Sequence, residues 1–295
     1  MTETKDEPWT ILRLLNWTTD FFKKRGSESA RLDAEILLAH ARDCARIDLY
    51  TAFAEVPSDE QRVAFRELVR RRGEGTPVAQ LVGYKEFYSL RFRVNEHVLI
   101  PRPETEELVS AAIDLAKQIP SGQRPLRIAD VGTGSGVIAV TLAKQIDDCA
   151  ITAVDVSAAA IKIAQWNADQ HDVTLKITFA ESDLLGSIDP SAQFHLILSN
   201  PPYITEAEYD QLDPSVRNFE PQGALVAGPD GCEVIRRLLA EAPNRLLPGG
   251  TILIELSPMI ADACLEIAKT IPQLSGQRLI KDLSGHQRIL TATCT

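Results

Sequence analysis

Apolar residues recur at three- and four-residue spacing over residues 9–24, where Ile11, Leu12, Leu15, Phe21 and Phe22 mark one face. That period predicts an amphipathic helix. Residues 29–42 repeat it with Leu32, Ile36, Leu37 and Leu38. Ser58 and Gln61 have the spacing of a capping box, which predicts a third helix running through Arg72, with Gly73 and Gly75 ending it. Residues 1–80 are therefore expected to form a small helical domain. The texture then changes. Residues 87–94 alternate partially, Asn95-Glu96 is a turn candidate and residues 98–100 return, so a β-hairpin linker is expected over residues 81–100. A helix is expected over residues 107–118. From Leu126 onward short apolar runs alternate with helical stretches. The strand candidates are residues 126–131, 151–156, 176–180, 194–199 and 251–256, and the helices between them cover 137–145, 158–170 and 233–246. This rhythm predicts an α/β domain over residues 101–295, with a parallel sheet covered on both faces. Residues 278–282 and 288–292, joined across Ser284-Gly285, predict a closing antiparallel hairpin. There is no internal repeat and no low-complexity segment.

Composition narrows the class only slightly. A hydrophobic fraction of 44% and a charged fraction of 24% are ordinary for a globular protein. No apolar run approaches the roughly 18 residues of a spanning helix. Residues 1–9 are acidic and polar, unlike a signal peptide, so a cytoplasmic protein is expected. The five cysteines show neither CxxC spacing nor a histidine neighbour in a ligand pattern, and no metal site is expected. The net charge of −10 weighs against a surface that tracks phosphates. Arg62, Arg66, Arg70, Arg71 and Arg72 form a local basic patch, which also reads as a solvated helix face.

Candidate chemistry begins at Asp130-Val131-Gly132-Thr133-Gly134-Ser135-Gly136, which closes one predicted strand and opens a helix. Glycines there allow a tight turn and let a ligand approach the helix N-terminus. Asp155 ends the next strand, where a carboxylate can accept hydrogen bonds from ribose hydroxyls. Read from Gly134, with Ala139 last, the loop also fits the dinucleotide fingerprint, so a nicotinamide-dependent oxidoreductase stays open. Asp130 would repel a pyrophosphate but suit a sulfonium and an α-ammonium. Ser182-Asp183-Leu184 could offer an adenine amino group an acceptor and its ring an apolar wall.

Ser199-Asn200-Pro201-Pro202-Tyr203 follows the buried-looking run of residues 194–198. Consecutive prolines stiffen the chain and remove two N–H donors, which leaves carbonyls to accept beside the Asn200 side-chain oxygen. Two fixed acceptors match a planar NH₂ group, and the Tyr203 ring could stack on a flat substrate. If this strand lies beside the first, Asn200 faces the glycine loop across the crevice at the carboxyl ends of the strands.

Together these two motifs resemble the class I S-adenosylmethionine-dependent methyltransferases that alkylate planar NH₂ groups. Within them the chain is most similar to the release factor glutamine methyltransferase family. Pro101-Arg102-Pro103-Glu104-Thr105-Glu106, Asn218-Phe219-Glu220-Pro221, Ala224-Leu225 and Gly228-Pro229-Asp230-Gly231 look like further parts of its pattern. The resemblance runs from about residue 76 to the C-terminus. It implies a Rossmann-like fold with a mostly parallel seven-stranded sheet and a small helical N-terminal domain that docks substrate. It implies methyl transfer from S-adenosyl-L-methionine to N5 of the glutamine in the Gly-Gly-Gln loop of peptide chain release factors. Residues 132–136 (Gly132, Thr133, Gly134, Ser135, Gly136) and Asp130 would then hold the methionine part, Asp155 the ribose, and Asp183 and Leu184 the adenine. Asn200 and Pro201, with Pro202 and Tyr203, would hold the amide, while Arg102, Glu104 and Glu106 shape the pocket mouth. A monomer without stable nucleic-acid or membrane binding is expected. Glu255-Leu256-Ser257-Pro258 departs from the family's Glu-x-Gly, which puts that loop in doubt. A ribosomal-protein glutamine methyltransferase, an adenine-N6 methyltransferase of nucleic acids and a non-catalytic adaptor remain the other readings.

Overall fold

A computed structural model describes residues 8–295, and the acidic start lies outside the described residues. Chain contacts divide it into two compact units between Gly83 and Tyr84. The first unit is helical, as the periodicity predicts, with principal helices Ile11–Lys23, Ala30–Arg42 and Asp59–Gly73. Thr10 caps the first through its side chain, and Ser58 and Gln61 close a reciprocal capping box on the third. Each such cap removes an orphaned N–H and contributes about 1 kcal/mol. Short helices Asp48–Thr51 and Val78–Val82 complete the unit; they lack the length that makes a period legible. Ile11, Leu15, Phe22, Leu37, Leu38, Leu49 and Phe65 form its core. In the basic patch, Arg62 pairs with Asp59, Arg70 with Glu67 and Glu74, and Arg72 with Asp33. Those arginines are thus engaged with carboxylates.

The second unit opens with a two-stranded hairpin, β1 (Tyr84–Phe87) and β2 (Leu90–Arg93). Its turn is at Tyr88-Ser89, not at Asn95-Glu96, and residues 98–100 form no strand. Both turn residues have positive φ, 50° and 61°. A two-residue turn of that hand matches strand twist but usually takes Asn or Gly. Here the Glu106 carboxylate accepts the Tyr88 N–H at 2.8 Å and holds the turn.

Seven further strands build one sheet: β3 (Leu126–Val131), β4 (Cys149–Asp155), β5 (Ile177–Glu181), β6 (Phe194–Ser199), β7 (Leu246–Glu255), β8 (Leu274–Lys281) and β9 (Gln287–Cys294). Their order is β5-β4-β3-β6-β7-β9-β8. The first five are parallel and β9 pairs antiparallel with both neighbours. Successive side chains leave opposite faces of a strand, so each apolar run feeds two cores. Ile128, Leu196, Leu198 and Leu253 join a cluster with Leu108, Val109 and Leu142, whereas Ala129, Ile197, Ile252 and Ile254 join one with Ile235, Leu239 and Cys264. Helices Thr105–Gln118 and Val137–Gln145 thus cover one face, and Glu233–Glu241 and Ala261–Lys269 the other. The helix expected to reach residue 246 stops at Glu241, and Pro243 sits in the short turn Ala242–Asn244 that follows. No helix among the described residues is long and apolar enough to cross a membrane.

Candidate active site at the carboxyl ends of the strands

Strand β3 lies between β4 and β6, so the loops leaving all three open onto one crevice. A cavity of ≈ 280 Å³ occupies it. Its wall brings together Gly132, Thr133, Gly134, Ser135, Asp155, Asp183, Leu184, Asn200, Pro201, Pro202 and Arg102, all sequence candidates. Asn200 therefore faces the glycine loop across the crevice, as the motif order predicts. The wall also includes Val98, Leu99, Pro101 and Thr105, which sequence reasoning left unassigned.

The loop is built to leave space. Gly134 has φ +54°, and a methyl group there would meet no protein atom within 4 Å, although the position lines the cavity. At Gly136 an added Cβ would lie 3.0 Å from the Ala164 Cβ, so that glycine permits close packing on helix Ala158–Gln170. Asp155 fixes the loop from the end of β4: one carboxylate oxygen accepts the Gly134 N–H and the other the Ser157 N–H, both at 2.9 Å. Burial raises its pKa, and these N–H groups oppose the rise. Fully buried Asn167 ties the loop to the hairpin. Its amide donates to the Ser135 carbonyl at 2.7 Å and the Arg93 carbonyl at 3.1 Å, and its oxygen accepts the Arg93 N–H at 2.8 Å.

Four candidates sit elsewhere than expected. Asp130 lies beneath the loop rather than in the cavity wall, with one oxygen accepting from the Thr133 hydroxyl at 2.6 Å and the Ala139 N–H at 3.1 Å. Its other oxygen is buried and has no partner among the described residues. Burial pushes its pKa up to about 7. Tyr203 is not in the wall either; half-buried, it packs against the core cluster that contains Ile197, Ile254 and Ile235. Burial raises its phenol to about 12. Glu104 precedes helix Thr105–Gln118 without capping it and is absent from the wall, and Glu106 holds the hairpin turn instead of a pocket mouth. Asp183 remains at the wall, but its carboxylate accepts from Arg237 at 2.7 Å.

Arg102 reaches the site on a strap, residues 100–102, pinned by Glu220. One Glu220 oxygen accepts the Ile100 N–H at 3.0 Å and the other accepts from Arg102 at 2.6 Å. Behind the strap, Asn200 donates its side-chain N–H to the Thr105 hydroxyl at 3.1 Å. Committing the NH₂ end of that amide to Thr105 turns its carbonyl oxygen to the other side as an acceptor. Glu255, at the end of β7, is buried, and burial raises its pKa to about 7.

Known proteins resemble this chain in sequence and in fold. A family model for the PrmC N-terminal domain matches residues 13–83, and one for the methyltransferase small domain matches residues 110–217. A release factor glutamine methyltransferase of Rhodopirellula baltica is 57% identical over 296 residues, 99% of each chain. One from Koribacter versatilis is 40% identical over 89% of this chain and 90% of that one. Among solved structures, a Pyrococcus furiosus methyltransferase aligns with TM-score 0.50 and 18% identity over 76% of this chain and 96% of that chain. The Thermus thermophilus 16S rRNA N2 G1207 methyltransferase, solved with AdoMet and guanosine, aligns at 0.51 and 17% over 72% and 50%. These two likenesses bear on the fold alone. Near-complete overlap with relatives of 40–57% identity places the chain in a family: it belongs to the release factor glutamine methyltransferases.

Proposed function

We propose that this enzyme transfers a methyl group from S-adenosyl-L-methionine to the side-chain amide nitrogen of a glutamine in a peptide chain release factor, the glutamine of its Gly-Gly-Gln loop. The polarity of Asn200 carries the reading. With its NH₂ held by Thr105, its oxygen is an acceptor at the cavity wall, beside a proline pair that offers no N–H there. The cofactor, when bound, supplies an electrophilic methyl on a sulfonium. The open space over Gly134 and the residues 132–136 around it suit the methionine part, the Asp155 carboxylate the ribose, and Leu184 the adenine ring. The unpartnered Asp130 oxygen below the loop, where the group is ionised above about pH 7, adds a negative potential that favours a cationic ligand.

Asn200 and the Pro201 carbonyl accept the two protons of the glutamine amide and so fix the position of its nitrogen. An amide nitrogen is a poor nucleophile, so orientation matters most, and it can contribute about 7–11 kcal/mol. Positive charge that develops on the nitrogen meets these same acceptors. Tyr203 supports the segment from the core rather than touching the substrate. No side-chain base is needed, because the methylated nitrogen sheds its proton to an acceptor or to water. A net charge of −10 supports a protein acceptor over a nucleic acid. The work then lies in the cytoplasm, with the helical unit docking the substrate protein. Incubation with labelled cofactor and, separately, a release factor, a ribosomal protein and duplex DNA tests the reading. Label is expected on the release factor. Label on DNA alone, or on the ribosomal protein alone, overturns it.

A further inference from the structure

Glu220 joins two stretches of chain that both line the cavity: Pro101-Arg102 on the strap, and Pro221, Gly223 and Ala224 just after Glu220 itself. Its side chain is only 1% exposed, and a carboxylate buried to that degree is costly unless it is paired. Here each oxygen has its own donor, the Ile100 N–H at 3.0 Å and the Arg102 Nη2 at 2.6 Å. None of the chemistry above uses this pair. The Arg102 carbonyl accepts the Thr105 N–H at 3.2 Å, so Arg102 stands one turn before the hydroxyl that holds Asn200.

The wall around Asn200 is poor in donors. Pro101, Pro201, Pro202 and Pro221 all line it, and none has an N–H. Arg237, one of two arginines in the wall, is paired with Asp183 at 2.7 Å. Arg102 is the other. It gives one N–H to Glu220, and the rest of its fork has no acceptor among the described residues. The acceptor loop proposed above has the complementary chemistry. Its two glycines carry no side chain, so only their backbone groups can be read. Proline carbonyls can accept from the glycine N–H groups, but a proline cannot donate to the glycine carbonyls. Arg102 can.

We propose that Arg102 binds the acceptor loop by donating to a backbone carbonyl of its glycines, and that Glu220 is the positioning residue that aims the guanidinium. The inference rests on the substrate given under the proposed function. The need for a carboxylate follows from counting acceptors. Glu220 offers one oxygen to the strap and one to Arg102. A glutamine there has a single oxygen, and its NH₂ would face a second donor. Glu220→Gln must therefore release either the strap or Arg102, although the side chain keeps its shape.

The test measures kcat and both KM values for the full chain with a release factor acceptor, in wild type, Arg102→Met, Glu220→Gln and the double variant. Calorimetric titration of each with S-adenosylhomocysteine shows whether the cofactor half of the site is intact. Arg102→Met keeps an apolar stem and removes the fork. It is expected to raise the release factor KM by about tenfold or more, with kcat changed less than threefold and S-adenosylhomocysteine affinity less than twofold, the pattern of lost uniform binding. That effect is expected to persist in high salt, because a carbonyl contact is not an ion pair. Glu220→Gln is expected to raise the same KM by about fivefold in the wild-type background, but less than twofold beside Arg102→Met, where there is no fork left to aim. An unchanged release factor KM in Arg102→Met, or a loss that falls on S-adenosylhomocysteine instead, overturns the role of Arg102. Disappearance of the Arg102→Met effect in high salt shows a carboxylate partner and overturns the carbonyl assignment. Equal effects of Glu220→Gln in both backgrounds overturn the positioning role of Glu220. A wild type that methylates no release factor overturns the proposed function, and this inference with it.

Discussion

Gly231 is the residue whose replacement most directly connects packing to chemistry. It precedes the helix Glu233–Glu241 and has φ +69°, a backbone state that costs an L-residue about 1–2 kcal/mol. A Cβ there would lie 2.6 Å from the Tyr203 carbonyl oxygen and 3.5 Å from the Ile260 Cγ2. The first contact is well inside the 3.4–4 Å of ordinary packing and strikes backbone, which cannot swing away. Overpacking of this kind adds about 1–3 kcal/mol. Gly231→Ala is thus expected to destabilise the protein by about 2–5 kcal/mol in urea unfolding. Gly249→Ala is the control: φ is +79°, yet nothing lies within 4 Å, so only the backbone cost of about 1–2 kcal/mol remains. Relief of the clash displaces Tyr203 and, with it, the stiff Asn-Pro-Pro segment. A misplacement on the order of 1 Å can cost about 100-fold in rate. Turnover should therefore fall by about that factor in Gly231→Ala and stay near wild type in Gly249→Ala. If both variants lose the same stability and both keep wild-type turnover, the close approach has no role in holding the site.

Gly134→Ala should cost little more than its backbone strain in unfolding, yet weaken S-adenosylhomocysteine at least tenfold, about 1.4 kcal/mol, in calorimetric titration; unchanged affinity would mean the space over the loop is not the ligand's. Asn167→Ala leaves the Ser135 carbonyl and both Arg93 backbone groups without their partner and should cost about 3 kcal/mol in urea unfolding; a loss below about 1 kcal/mol would refute its bridging role. Asp130 and Glu255 hold protons up to about pH 7 in the folded state but release them at about pH 4 when unfolded. Their contribution is full below the unfolded value and is lost as pH rises through the folded one. Asp130→Asn should accordingly lose less stability than wild type between about pH 5 and about pH 8, and equal losses would contradict the assignment.

Much of the sheet was legible because its chemistry is local. The runs at residues 126–131 and 194–199 feed cores on both faces, so they are continuously apolar and their bounds match β3 and β6. The glycine loop and Asn200 were legible for the same reason, since each motif is contiguous. The hairpin turn was not. Tyr88-Ser89 carries no turn signature, and its support comes from Glu106, which lies 18 residues further along the chain. Tyr203 was read as a stacking face because an exposed and a core-packed tyrosine look alike in sequence. Asp130 was placed with the ligand because its position beneath the loop depends on Thr133 and Ala139 folding back over it. Thr105 and Asn200 meet although they stand 95 residues apart in the chain, and no spacing rule anticipates that pair.

The central claim is that the site methylates a glutamine side-chain nitrogen. Tandem mass spectrometry of a release factor, after incubation with this enzyme and S-adenosyl-L-methionine, tests it most directly. The account predicts the mass of one methyl group on the glutamine of the Gly-Gly-Gln loop, and none when Asn200→Ala replaces the wild type. A methyl on any other residue, or on that glutamine at an undiminished rate with Asn200→Ala, would contradict it.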